Sequence, residues 1–170
     1  MIRVAGVVFL LGASAAIGFG TAEGLKLRVR ELEMLISSLE LMELELKTHL
    51  TPLPQLLRLG AKTTEKHVKQ FYLLCTDGID AKEDKSFFEL WRAAAETIPF
   101  RLSEEDLRIM VELGGILGRY DAASQCNALV ETRRKLFLAL EDAKKQKEKL
   151  GNVYSTLGVA IGAILGIVLW

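Results

Sequence analysis

The sequence predicts an all-α protein: a bundle of about six helices set between an apolar helix at each end. Three observations lead there. Charge is partitioned along the chain: of 22 basic and 22 acidic residues in 170, only Arg3 precedes Glu23 and none follows Lys149. In the charged middle, apolar residues recur at the spacing of one helix face, and no stretch sustains the alternation of a half-buried strand. Capping and stop signals then cut that middle into short-linked segments.

The ends come first. Residues 4–22 (VAGVVFLLGASAAIGFGTA) and 150–170 (LGNVYSTLGVAIGAILGIVLW) are uncharged runs of 19 and 21 positions. A hydrocarbon core of ~30 Å needs about 20 helical residues at ~1.5 Å each, so both runs are long enough to cross it. The expected division is an N-terminal transmembrane helix at 1–22, a helical bundle at 23–149 and a C-terminal transmembrane helix at 150–170. The first run has a second reading. Met1-Ile2-Arg3 resembles the basic lead of a signal peptide, with Ala13-Ser14-Ala15 or Gly20-Thr21-Ala22 as its cleavage site. Against that reading, the run is longer than a typical signal core and a leucine-rich helix follows with no turn signal.

Basic residues set the orientation. Lys26, Arg28 and Arg30 follow the first run, and Lys144, Lys145, Lys147 and Lys149 precede the second. Both therefore favour a cytoplasmic middle with the two termini on the far side. Cys75 and Cys126 then face a reducing compartment as free thiols.

In the middle, Leu32, Leu35, Leu39, Met42 and Leu46 form one face of a first helix. Leu41 and Leu44 lie off that stripe, which predicts burial on more than one side. Thr51-Pro52-Leu53-Pro54 stops this helix after His49 and opens a short one through Leu56 and Leu57, closed by Gly60. A third helix is expected from about Thr64 to Thr76, with Val68, Phe71, Tyr72 and Cys75 inward and Asp77-Gly78 as its stop. Ser86 with Glu89 three positions on makes a capping box for a fourth helix, which carries Phe87, Phe88, Leu90, Trp91 and Ala94 and ends at Pro99. Ser103, with Asp106 three positions on, caps a fifth that continues to Gly118. Asp121 can cap a long last helix reaching Leu150 and the second run.

Composition excludes several function classes. A neutral balance without a basic block argues against a nucleic-acid binder. Two cysteines make neither a disulfide scaffold nor a four-ligand zinc site. His49 and His67 have no metal-ligand spacing and read as solvated or cap-adjacent side chains. Cys75 falls on a core face, and the acids Glu104, Glu105 and Asp106 favour a helix dipole. No phosphate loop, nucleophile elbow or paired-carboxylate arrangement is present. The expectation is a non-enzymatic protein with no cofactor and no metal.

One constellation stands apart: Leu113, Gly114, Leu117, Gly118, Asp121 and Gln125. Gly114 and Gly118 are one turn apart and can admit another helix closely, while Asp121 and Gln125 share a face at the start of the last helix. Two readings are open. The residues form a helix-turn-helix corner, with Gly118 ending one helix, Asp121 capping the next and Gln125 closing the turn. Or they present a polar surface to a partner.

The order LGxxLGxxDxxxQ, held by those six residues, resembles the stage III sporulation protein AB family of endospore-forming bacteria. The N-terminal apolar run, the helix leading to Thr51-Pro52-Leu53 and the basic helix entering a C-terminal span match it too. The resemblance covers nearly the whole chain. The position before Gly114, often aromatic in that family, is Leu113 here. The resemblance implies a mother-cell membrane assembly facing the forespore, similar to the inner-membrane platform of type II secretion and type IV pilus machines. It implies a cytoplasmic secretion-type ATPase and other stage III sporulation channel proteins as partners, with further copies of the chain compatible. The competing reading is a signal-anchored or exported helical sensor or receptor. Within the spans, Gly12, Ala16 and Gly20 form one small-residue ridge, and Gly158, Gly162 and Gly166 form another. Such ridges let membrane helices pack closely.

Overall fold

A computed structural model assigns backbone over residues 2–82 and 84–168 and describes side chains over residues 23–82 and 84–150. Among the described residues there are six helices and no strand: α1 (Ile2–His49), α2 (Leu53–Thr63), α3 (Lys66–Asp80), α4 (Phe87–Thr97), α5 (Glu104–Gly114) and α6 (Ala122–Val168). Among them no helix is long and apolar enough to cross a membrane. Both expected spans fall on residues 1–22 and 150–170, and apart from Leu150 their side chains lie outside the described residues, as do the two glycine ridges.

The first and last helices are partners. Lys144 pairs with Glu33 at 3.1 Å, and Arg133 reaches both Glu40 and Glu43 at 3.1 Å, so α1 and α6 run antiparallel. Between them each helix packs on its sequence neighbour, and α5 closes the circuit against α6. The seam is leucine on leucine: Leu32, Leu35, Leu39, Met42 and Leu46 from α1, with Leu129, Leu136 and Leu140 from α6, are all buried. Each such side chain contributes about 1.5–3 kcal/mol by leaving water, which outweighs the ion pairs on its flank. Phe71, Tyr72 and Trp91 fill the centre, with the Phe71 and Trp91 rings edge to face at 4.6 Å. The Tyr72 hydroxyl finds a partner there. Ser38 Oγ donates to the Leu35 carbonyl at 2.8 Å, so its one proton is committed and Tyr72 donates to it at 2.7 Å.

The capping boxes on α4 and α5 form as expected, Ser86 with Glu89 and Ser103 with Asp106. Other boundaries differ. Helix α2 continues through Gly60 to Thr63, and α3 through Gly78 to Asp80. Both glycines are buried inside their helices, Gly60 against Met42 and Tyr72 and Gly78 against Leu90. They admit neighbours rather than stop the chain. Helix α5 ends at Gly114, four residues before the expected Gly118. Leu44 is 56% exposed, so α1 is not buried on that further side. Past His49 the chain turns through Leu50, whose φ of +52° is left-handed backbone.

Candidate functional site

Two constructions stand at opposite ends of the α1/α6 pair. The first is the corner read from the sequence. Leu113 and Leu117 are core residues, 1% and 2% exposed. Gly114 lies under the Trp91 ring, which is fixed by its Nε1–H donating to the Met110 carbonyl at 2.8 Å. A β-carbon at Gly114 would overlap that ring. After α5 the chain descends through turns, with Leu117 N–H donating to Leu113 O at 3.1 Å and Arg119 N–H to Ile116 O at 3.3 Å. Gly118 then reverses the chain with φ +73°, a conformation few other residues adopt. Asp121 accepts from the Ser124 N–H at 3.0 Å and the Ser124 hydroxyl at 2.7 Å, the geometry of an N-cap. Those two bonds, the backbone one first, hold its carboxyl below the ordinary range. Gln125 uses both ends of its amide: its oxygen accepts from Gly118 N–H at 2.9 Å, and its nitrogen donates to the Tyr120 carbonyl at 2.6 Å.

All six residues of the motif thus take part in one corner. Gly114 and Gly118 do not form a shared free face, because each meets a different neighbour of the bundle, Trp91 and Leu53. What the corner leaves outward is Tyr120, 53% exposed, with Arg119 over its ring. Beside it a cleft of about 340 Å³ opens between the end of α1 and the start of α6, lined by Leu46, Leu50, Ala123, Cys126 and Val130. Leu50 is 68% exposed there and Val130 41%.

The second construction escaped the sequence reading. Near the other end of the bundle, buried Glu31 accepts from His67 Nδ1 at 2.6 Å and from the Arg101 backbone N–H at 2.7 Å. One turn earlier on α1, Arg28 grips Asp106 with two bonds, Nε to Oδ2 at 2.8 Å and NH2 to Oδ1 at 3.1 Å. Asp106 is 1% exposed, and its hydrogen bonds raise the already high pKa of Arg28. His67, the second residue of α3, is cap-adjacent as expected, but it is not solvated: it is half-buried against Glu31. The available signal was on α1 itself, where Arg28, Glu31 and Ser38 occupy positions of the apolar stripe. A charged residue on a core face needs a buried partner. Among the described residues no three His, Cys, Asp or Glu side chains gather as metal ligands, and both cysteines are free.

These features define an all-α helical bundle: two long paired helices, a closed circuit of short ones and a glycine–aspartate corner. The chain belongs to the stage III sporulation protein AB family, whose model matches residues 3–170. It is 24% identical over 171 residues to the stage III sporulation protein AB of Bacillus subtilis (strain 168), covering 99% of both chains. A solved structure of a stage III sporulation protein AB is similar in fold, with a TM-score of 0.65 and 22% identity. The match covers 72% of this chain and 98% of that one.

Proposed function

We propose that the protein is a non-catalytic membrane platform of a sporulation secretion or feeding channel between mother cell and forespore. On this reading it sits in the mother-cell membrane facing the forespore, with its bundle in the cytoplasm. It links a cytoplasmic secretion-type ATPase to membrane ring proteins. The observation that carries the reading is the antiparallel pairing of α1 and α6, each continuous from an apolar run into the bundle. Both runs then leave from one end. The corner and the Leu50 cleft stand at the other, roughly 40 Å away along 26 helical residues. A partner approaching from the cytoplasm meets that end first. The positive flanks support the same orientation.

The test is a photocrosslinking residue at Tyr120 in sporulating cells, combined with reporter fusions at about residue 100. Capture of a secretion-type ATPase and a cytoplasmically active fusion are expected. Alkaline phosphatase activity at that fusion point puts the bundle outside and sinks the platform reading in favour of an exported receptor.

A further inference from the structure

At the end of the bundle where the apolar runs begin, the loop between α4 and α5 is unusually well tied. Ile98 closes α4 by donating to Ala94 O at 3.1 Å, and Phe100 N–H turns back to Ile98 O at 2.8 Å. The Arg101 N–H is held by buried Glu31, and Ser103 by Asp106, which Arg28 clamps from α1. The loop therefore keeps one position relative to the start of the bundle. Yet what it displays is apolar and cationic, Pro99, Phe100 and Arg101, with Pro99 and Arg101 exposed.

Between this loop and the two long helices lies a cleft of about 580 Å³. Leu25, Phe100, Leu102 and Leu150 line it, with Arg28 and Arg101. Arg28 is committed to Asp106, whereas the Arg101 guanidinium makes no hydrogen bond or ion pair among the described residues. Leu25 and Leu150 stand where the charged bundle gives way to the uncharged runs. Lys26, Lys145, Lys147 and Lys149 occupy the same level of the α1/α6 pair against the acids Glu23 and Glu148, so the collar keeps an excess of positive charge. An apolar cleft with one uncommitted guanidinium inside a basic collar, at the level of a bilayer surface, matches one ligand chemistry. That ligand has acyl chains and a phosphate.

We propose that this cleft seats an anionic phospholipid of the membrane, its phosphate on Arg101 and its upper acyl chain against Leu25, Phe100 and Leu150, with the rigid loop resting on the bilayer. The proposal rests on the membrane reading above and adds a specific lipid contact to it. Glu31 and Asp106 are positioning residues: they fix the loop that carries Arg101 and do not touch the lipid.

The full-length chain, with Cys126→Ser and Pro99→Cys carrying an environment-sensitive fluorophore, is reconstituted in phosphatidylcholine vesicles with or without phosphatidylglycerol, one lipid at a time bearing brominated acyl chains. Cys75 does not compete for label, being buried with its thiol pushed up to about 12. Quenching by brominated phosphatidylglycerol is expected at lower lipid fractions than by brominated phosphatidylcholine. Arg101→Gln keeps the backbone N–H that Glu31 accepts, and should weaken the anionic preference roughly five-fold, as loss of one basic contact does. Lys47→Gln, the same charge change roughly 33 Å along α1 from Leu25, should leave it intact. Equal quenching by the two lipids, or equal effects of the two substitutions, overturns the lipid site while the chain stays in the membrane. Abolition of the preference by inorganic phosphate assigns the cleft to a free anion and overturns it also. Release of the chain by alkaline carbonate removes the membrane reading itself.

Discussion

Glu31 sits one turn before Leu35 on a helix face of mostly leucine and methionine that it shares with Arg28 and Ser38, and it is the residue most informative about how this bundle is set. Its two oxygens bind a histidine 36 residues later and a backbone amide 70 residues later. Nothing in local periodicity announces such pairings, which is why the stripe and its polar members are legible and the partners of those members are not. The same applies to Arg28 and Asp106. Arg28→Ala leaves Asp106 buried without its cation, and should cost about 3 kcal/mol in chemical denaturation of the detergent-solubilised chain. Asp121 behaves differently, because it is exposed and its partners are local. Its folded pKa is depressed, so its contribution is fully present above the unfolded value near 3.8 and is lost as pH falls through the folded one. The protection factor of the Ser124 amide in hydrogen exchange should accordingly fall in that acid window. Asp121→Asn should flatten the dependence.

At the level of the element, glycine carries two messages that the sequence writes with one letter. Gly118 ends a turn because its backbone is left-handed, whereas Gly60, Gly78 and Gly114 lie where a neighbour's side chain occupies the place of a β-carbon. By sequence alone Gly60 and Asp77-Gly78 signal helix stops and Gly118 the end of α5, whereas the helices run to Thr63, Asp80 and Gly114. Caps were easier to read, since a serine and an acid three residues later specify a local hydrogen-bond pair that tertiary packing need not supply. The adjacent pair Gly114-Gly115 separates the two roles. Gly114→Ala drives a methyl into the Trp91 ring, which its bond to Met110 keeps from swinging away, and should cost about 2–3 kcal/mol. At Gly115 the backbone is ordinary helical and the nearest atom to an added methyl is at 3.4 Å. Gly115→Ala should therefore be neutral or stabilising by about 0.5 kcal/mol. Combining Gly114→Ala with Trp91→Phe should cost less than the sum, measurable in a double-mutant cycle by thermal unfolding.

For the whole molecule, the all-α class and the six-segment division were legible because short-linked helices are written in local signals. The closure of the circuit was not, since it depends on which surfaces meet. That closure bears on the two apolar ends. The two small-residue ridges lie beyond the residues whose side chains are described, on the runs that α1 and α6 continue into. If the small-residue ridges of the two runs meet, Gly162→Ile should disrupt assembly while Leu165→Ile does not. Cysteines introduced at Ala16 and Gly162 should crosslink with a short reagent in membranes. Equal tolerance of both substitutions with no crosslink removes the ridge. The same pairing of first and last helices also sets a timetable for biosynthesis. Leu32, Leu35 and Leu39 leave the ribosome about 100 residues before Leu129, Leu136 and Leu140, the side chains that cover them. At roughly 5–20 residues per second, that leucine row is naked for on the order of ten seconds in every round of translation. During that interval the row is the kind of exposed apolar surface that chaperones bind, and a transcript truncated before codon 129 yields a protein whose α1/α6 seam is never closed.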